Sequence, residues 1–210
     1  MLSKVFCAIA APVVLFAQLA HGGLVTPTAP FKGYTVFDVE WQLPIDPKNA
    51  ASKSVTVTGT IQEAVAKMDA AYPGWNETFL STISRNQPGT SLSDNPKRDH
   101  YVCNPDDGEK DALYRGIAEG ITYLRRIGDG DVSPPQNNPH GCGRISCTNY
   151  SGIWWCNNNN FEKQVTWQEI GDSAYFLAYQ CGIWNDITWL TAGEEFFKDK
   201  WSVYVTATAC

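Results

Sequence analysis

The stretch Cys142-Gly143-Arg144-Ile145-Ser146-Cys147-Thr148-Asn149-Tyr150-Ser151-Gly152-Ile153-Trp154-Trp155-Cys156-Asn157 decides the fold. Two runs rich in strand-forming residues, Arg144 to Thr148 and Ile153 to Cys156, flank the polar turn Asn149-Tyr150-Ser151-Gly152, which is the pattern of a β-hairpin. If the turn is four residues long, the pleat places Ile145, Cys147, Trp154 and Cys156 on one face. Adjacent strand residues point to opposite faces, so Trp154 and Trp155 divide between the two sides of a sheet. One fills the core. The other is either covered by a second layer or presented as an aromatic platform for a sugar or a protein. Coverage is the favoured reading, because burial is the commoner fate of a strand tryptophan.

Helical patterns lie on either side of this hairpin. Before it, Leu113, Ile117, Ile121 and Leu124 recur at helical spacing. Asp106 or Asp107 is placed to start that helix, and Gly128-Asp129-Gly130 ends it. Gly116 and Gly120 let the helix approach a sheet closely. After the hairpin, Thr166 and Glu169 form a capping box, followed by the apolar stripe Trp167, Ile170, Ala174, Leu177 and Cys181. Trp201 to Thr206 is a final strand. The order is α-β-β-α-β. The expected fold class is therefore α+β: a two-layer α/β sandwich with an antiparallel sheet, helices on one face, and disulfide staples.

The 210 residues include seven cysteines. Residues 1–22 have a charged start at Lys4, an apolar run from Val5, and the small-residue exit Ala20-His21-Gly22, as in a secretory signal peptide cut after Gly22. About 16 apolar residues fall short of the roughly 20 needed for a membrane span. Cys7 leaves with that segment. Cys103, Cys142, Cys147, Cys156, Cys181 and Cys210 then remain, an even number that reads as three disulfides in a secreted, extracellular protein. Fifteen pairings are allowed. Either Cys147 or Cys156 is placed to bond Cys181 and so fasten sheet to helix. The zinc alternative, with His140 beside Cys142 and Cys147, lacks any C-x-x-C spacing, so no metal and no cofactor is expected.

The mature chain divides unequally. Residues 23–98 hold no cysteine and read as a β-β-α segment with a linker. Thr35, Phe37, Val39, Trp41 and Leu43 alternate as one half-buried strand, and Val55 to Thr58 form a second. Thr60 and Glu63 cap a helix carrying Ile61, Val65 and Met68, and Pro73-Gly74 stops it. The linker runs from Ser84 to Arg98, where Lys97-Arg98 is either a processing site or a solvated pair. Residues 99–210 form the cysteine-rich α-β-β-α-β domain. Its fifteen acidic against eight basic residues, within a formal net charge of −6, argue against nucleic-acid binding. The outward tryptophan of the hairpin and the apolar face of strand 35–43 each need cover, so the two halves are expected to share one core.

Catalytic signatures are scarce. None of the G-x-S-x-G, H-E-x-x-H, P-loop or dinucleotide patterns occurs. His100 and His140, with Arg144 and a carboxylate such as Glu162 or Glu169, are the residue types that cleave RNA by acid–base chemistry. Glu194-Glu195 or Asp129 with Asp131 would suit a glycosidase. Solvated surface groups are the favoured reading for all of them, including Asp129 and Asp131 as calcium ligands. Asn76-Glu77-Thr78 and Asn149-Tyr150-Ser151 are N-glycosylation sequons.

The segments Cys142-Gly143-Arg144-Ile145-Ser146-Cys147, Ile153-Trp154-Trp155-Cys156-Asn157, Gly120-Ile121-Thr122-Tyr123-Leu124 and Gly59-Thr60-Ile61-Gln62-Glu63 resemble those of small secreted cysteine-rich proteins of filamentous fungi, regarded as candidate effectors. The resemblance covers about residues 35–206. The α-β-β-α-β order is also similar to killer-toxin-like effector folds, a likeness of topology alone. These resemblances imply a protein acting outside the producing cell by binding a host or microbial partner, an extracellular protein or a glycan. The alternatives are an antimicrobial killer-type toxin and a small secreted hydrolase of ribonuclease or glycosidase type. The resemblance maps no catalytic residue onto this chain.

Overall fold

The hairpin at residues 142–157 forms, and a larger sheet is assembled around it. The computed structural model describes residues 33–49, 51–81, 95–104, 111–128 and 136–210. The leader at 1–22 with the cut after Gly22, the helix start at Asp106 or Asp107, Asp129, Asp131 and most of the linker lie outside the described residues. In chain order the elements are β1 (Thr35–Phe37), β2 (Glu40–Pro44), β3 (Ser54–Thr58), α1 (Ile61–Ala71), α2 (Trp75–Ser81), β4 (Arg98–Cys103), β5 (Ala112–Leu113), α3 (Tyr114–Gly128), β6 (Gln136–Asn137), β7 (Gly141–Thr148), β8 (Ser151–Asn157), β9 (Lys163–Gln164), α4 (Trp167–Gln180), β10 (Gly182–Trp184), β11 (Trp189–Thr191), β12 (Gly193–Phe197) and β13 (Trp201–Ala207).

The main sheet has the order β1-β7-β8-β13-β12-β4. Every pairing in it is antiparallel except β1 with β7, which is parallel. The α+β class, the helix-on-one-face layering and the disulfide staples are as the sequence predicts. The alternating run 35–43 is not one strand. It breaks after Phe37, so that β1 joins the main sheet while β2 pairs with β3 in a separate two-stranded ribbon. The expected start of α3 also moves. Ala112 and Leu113 pair with β11 instead, and the helix begins at Tyr114.

The helical layer covers one face. Ile117, Ile121, Leu124, Ile170, Ala174 and Leu177 pack with Ile145, Ile153, Trp155, Val203 and Val205 in one core. Val39, Trp41, Leu43, Ile61 and Met68 belong to the same core. Trp41 stacks on Trp167 with ring centroids 4.1 Å apart. Burying a large apolar side chain is worth roughly 1.5–3 kcal/mol, so this cross-half packing is a substantial stabilising term. Both capping boxes are present, at Thr60–Glu63 and Thr166–Glu169. A Cβ on Gly120 would lie 2.7 Å from Ser146 Cβ and 2.8 Å from Ile153 Cδ1. The glycine therefore sets how closely α3 approaches the sheet.

The hairpin register differs from the four-residue-turn expectation. Its turn is two residues, Asn149 and Tyr150, with φ of 50° and 56°. That is the left-handed pair that matches strand twist in tight hairpins. A bulge follows in β7, where Arg144 pairs with Trp154 and Ser146 with Ile153. The extra residue, Ile145, is thereby turned to the helix side with Trp155. Trp154 and Cys156 stay on the opposite face beside Cys142 and Tyr204. Both tryptophans are buried. Trp154 is covered by Tyr34 and Val36, the residues in and just before β1, rather than by the whole β-β-α segment.

The disulfides are Cys103–Cys181, Cys142–Cys156 and Cys147–Cys210. Neither Cys147 nor Cys156 bonds Cys181. The expected link from sheet to helix exists, but it is made by Cys103 on the edge strand β4. Cys142 and Cys156 face each other directly across the hairpin, with Cα atoms 4.1 Å apart, which leaves Cys156 no reach to the helix layer.

Candidate binding surfaces

The residues considered for acid–base chemistry do not meet. His100 lies on β4, half-exposed, with Nδ1 3.0 Å from Asp99 and its ring stacked on Phe196. His140 sits in the turn entering β7 at φ 51°, edge-on to Tyr34. Four strand spacings separate β7 from β4, roughly 19 Å. Arg144 lies over the ring of Trp154 and donates to the Ala209 carbonyl at 2.7 Å. Glu162 accepts from Gln136, and Glu169 is occupied by the Thr166 cap and by Lys97.

Glu194 and Glu195 are not on a solvated face. They are 4% and 0% exposed and point to opposite sides of β12. Glu195 accepts from Arg98 Nε at 2.5 Å, beneath α4, while the same guanidinium lies 3.5 Å over the Phe176 ring. Burial pushes the Glu195 carboxyl above the usual carboxylate range, against the opposing pulls of the nearby Ser173 hydroxyl and of Arg98. A neighbouring pair, Arg125 with Asp172, and a third, Lys97 with Glu169, continue along the flank of α4. Burial disfavours charge on Glu169, but the Lys97 hydrogen bond and the helix cap outweigh it and hold that carboxyl below its ordinary value. Arg98 is thus neither a solvated partner of Lys97 nor in a loop. It opens β4 with its side chain 15% exposed.

The sequons differ in setting. Asn149 is exposed in the hairpin turn, where Arg115 donates to its Oδ1 at 3.2 Å. Asn76 lies in α2 and accepts from the Tyr123 hydroxyl at 3.1 Å.

Among the described residues, the exposed tryptophans lie elsewhere. β10 and β11 form a second hairpin, with Trp184 directly opposite Trp189 and ring centroids 6.2 Å apart. Asp186, at φ 70°, supplies the left-handed residue of its tip. Asn185 Oδ1 accepts from the Thr188 backbone at 2.9 Å and closes the turn. Trp184 is 58% exposed and Ile187, at the tip, 85%, with Ile183 also exposed. The base is fixed. Cys181 is bonded to Cys103, and β11 pairs with β5. A fixed ribbon carrying paired tryptophans and an apolar tip into solvent is an arrangement that soluble proteins keep for partners.

No family model, curated protein or solved structure matches this chain.

The functional reading of the chain therefore rests on its own geometry. Trp154 and Trp155 are both buried, in keeping with the favoured reading of the hairpin, and the alternative of an aromatic platform there falls away. The exposed ribbon at 182–191 is not among the elements read from the sequence. The signal was present: Gly182-Ile183-Trp184-Asn185-Asp186-Ile187-Thr188-Trp189-Leu190 has strand formers flanking an Asn-Asp turn. Among the described residues, no three His, Cys, Asp or Glu side chains cluster as a metal site, and no helix is long and apolar enough to cross a membrane.

Proposed function

We propose that this is a secreted, effector-type binding protein, released by cleavage after Gly22 and glycosylated at Asn149. In this reading it works outside the producing cell by docking a host or microbial partner protein against the 182–191 ribbon. The observation that carries it is the exposed Trp184–Trp189 pair with Ile183 and Ile187, held on a disulfide-anchored base. Tryptophans in such positions dominate the energy of protein interfaces. The separation of His100 from His140 and Arg144 favours the binding reading over a ribonuclease-type one. The three disulfides agree with an oxidising compartment.

The test compares the mature protein with a Trp184→Ser/Trp189→Ser double variant against a panel of purified extracellular host and microbial proteins. The expected result is a partner bound by the mature protein and lost by the variant, with the variant's melting temperature unchanged. A partner bound equally by both proteins would contradict the reading. So would RNA- or polysaccharide-cleaving activity abolished by His100→Ala or His140→Ala in a folded protein.

A further inference from the structure

At the far end of the sheet from the aromatic ribbon, where β8 ends and β12 turns into β13, lies an open cavity of about 560 Å³. That is within the range of roughly 300–1,000 Å³ typical of small-ligand sites. We propose that this cavity binds a short oligosaccharide carrying carboxylate groups.

Two buried asparagines brace it, Asn159 in its lining and Asn157 behind it. Asn157 donates to the carbonyls of Asn137, Asn138 and Phe161 at 3.0, 3.1 and 2.8 Å. Asn159 donates to those of Asp199 and Lys200 at 3.0 and 2.9 Å, and to Asn157 Oδ1. These bonds lock the 157–161 loop to the β12–β13 turn, where Lys200 sits at φ 60°. The cavity is therefore formed before any ligand arrives, which keeps the ordering cost of binding low.

The lining supplies the groups a sugar acid uses. Phe161 is 58% exposed and offers a flat apolar face to the C–H side of a pyranose ring. Asn158 accepts from Tyr34 through Oδ1 at 2.7 Å, so its amide N–H groups point away from that bond. Asn160, His140 and Lys200 are exposed on the same rim.

Charge selects the acid. Lys163, Lys198 and Lys200 face one carboxylate, Asp199. Burial disfavours charge on Asp199, but its hydrogen bond to Lys163 at 2.5 Å outweighs that and keeps it ionised. Lys198 is bound to the Pro96 carbonyl at 2.9 Å, and Lys200, whose ammonium meets no partner among the described residues, is placed to meet a ligand carboxylate. The chain as a whole carries −6, so a long polyanion is repelled while a short acidic sugar gains from the local field.

The test titrates the mature protein by calorimetry with trigalacturonic acid, its neutral counterpart maltotriose, and inorganic phosphate. The expected result is saturable binding of trigalacturonic acid, at least tenfold tighter than either control and weakening as salt rises. Phe161→Ala and Lys200→Gln should each lower that affinity by roughly fivefold to tenfold, as expected for loss of an aromatic stacking contact or one charge contact. Trp184→Ser should leave it unchanged, which separates this site from the ribbon. An amide NMR titration of the unaltered protein, with shifts expected at residues 158–163 and 198–200, keeps the question decidable if a variant misfolds. Failure to bind the trisaccharide, equal binding of maltotriose or phosphate, or shifts centred elsewhere would each overturn the proposal.

Discussion

Replacing Arg98 by Met removes the counter-charge of a carboxylate that is wholly out of water. Glu195 is 0% exposed, and Arg98 is its ion-pair partner, Nε to Oε1, under the Phe176 ring. Breaking a buried pair by deleting one member costs about 3–5 kcal/mol, mostly because the remaining charge is stranded. The cost must depend on pH. In the native protein burial already raises the Glu195 pKa above the ordinary value of 4.5, so its contribution to stability is largest below that value and declines as pH rises toward the folded pKa. Arg98 acts against this rise, so the variant should have a higher folded pKa and a decline extending to higher pH. At pH 7.5 the full penalty of about 3–5 kcal/mol is expected. Near pH 4 the carboxyl is neutral in the folded variant, and what remains is the lost cation–ring contact, about 1 kcal/mol. Urea unfolding followed by tryptophan fluorescence at the two pH values measures both. An Arg98→Met/Glu195→Met double variant should recover to within about 1 kcal/mol of the parent at pH 7.5, because apolar packing can replace a buried pair. A single-variant loss below about 1 kcal/mol at pH 7.5, or an equal loss at both pH values, would refute the assignment of Glu195 as a buried charge held by Arg98.

Gly120→Val should destabilise by about 1–3 kcal/mol in the same assay, because the new side chain would meet Ser146 and Ile153 across the α3–sheet contact. A change below about 0.5 kcal/mol would mean that α3 can move away freely. Residues 99–210 expressed alone should be less soluble and melt well below residues 23–210. They lose Trp41 from its stack on Trp167, β1 from the edge of the sheet, and the Arg98 partner of Glu195. Equal thermal stability of the fragment would show that the N-terminal half is dispensable.

Local chemistry was legible in the sequence, and tertiary context was not. Both capping boxes could be read because a Thr and a Glu three residues later interact within one turn. Gly116 and Gly120 announced close helix–sheet packing for a similar reason, since their spacing puts both on one side of α3. The hairpin was located correctly, but its faces were misassigned at Ile145. A one-residue bulge reverses every side chain beyond it and leaves no mark in composition. Glu194-Glu195 looked like a solvated pair because acidic residues usually are. Their burial follows from β12 being an interior strand between β13 and β4, and the partner that makes Glu195 tolerable lies 97 residues away at Arg98. The disulfides were countable but not pairable. Cys103 belongs to β4, a strand that no sequence pattern marks and whose first residue, Arg98, ends the expected linker, so its approach to Cys181 could not be foreseen.

The strand order has a consequence for how the chain is made. Only two adjacent pairs in the main sheet, β7–β8 and β12–β13, are joined by tight turns, and both come late in the sequence. The two outer strands, β1 and β4, are synthesised first, yet each must wait for a partner encoded roughly 90–110 residues downstream. As the chain emerges, its first hundred or so residues therefore carry the unpaired β1 and β4 segments and the unburied Trp41 and Trp75 with nothing to receive them. Closure of loops this long slows folding and prolongs the interval in which such segments can associate between chains. Assembly should begin from the C-terminal hairpins and capture the early strands last. The yield of folded protein would then depend on how well the first hundred residues are kept from associating with other chains until the last fifty arrive.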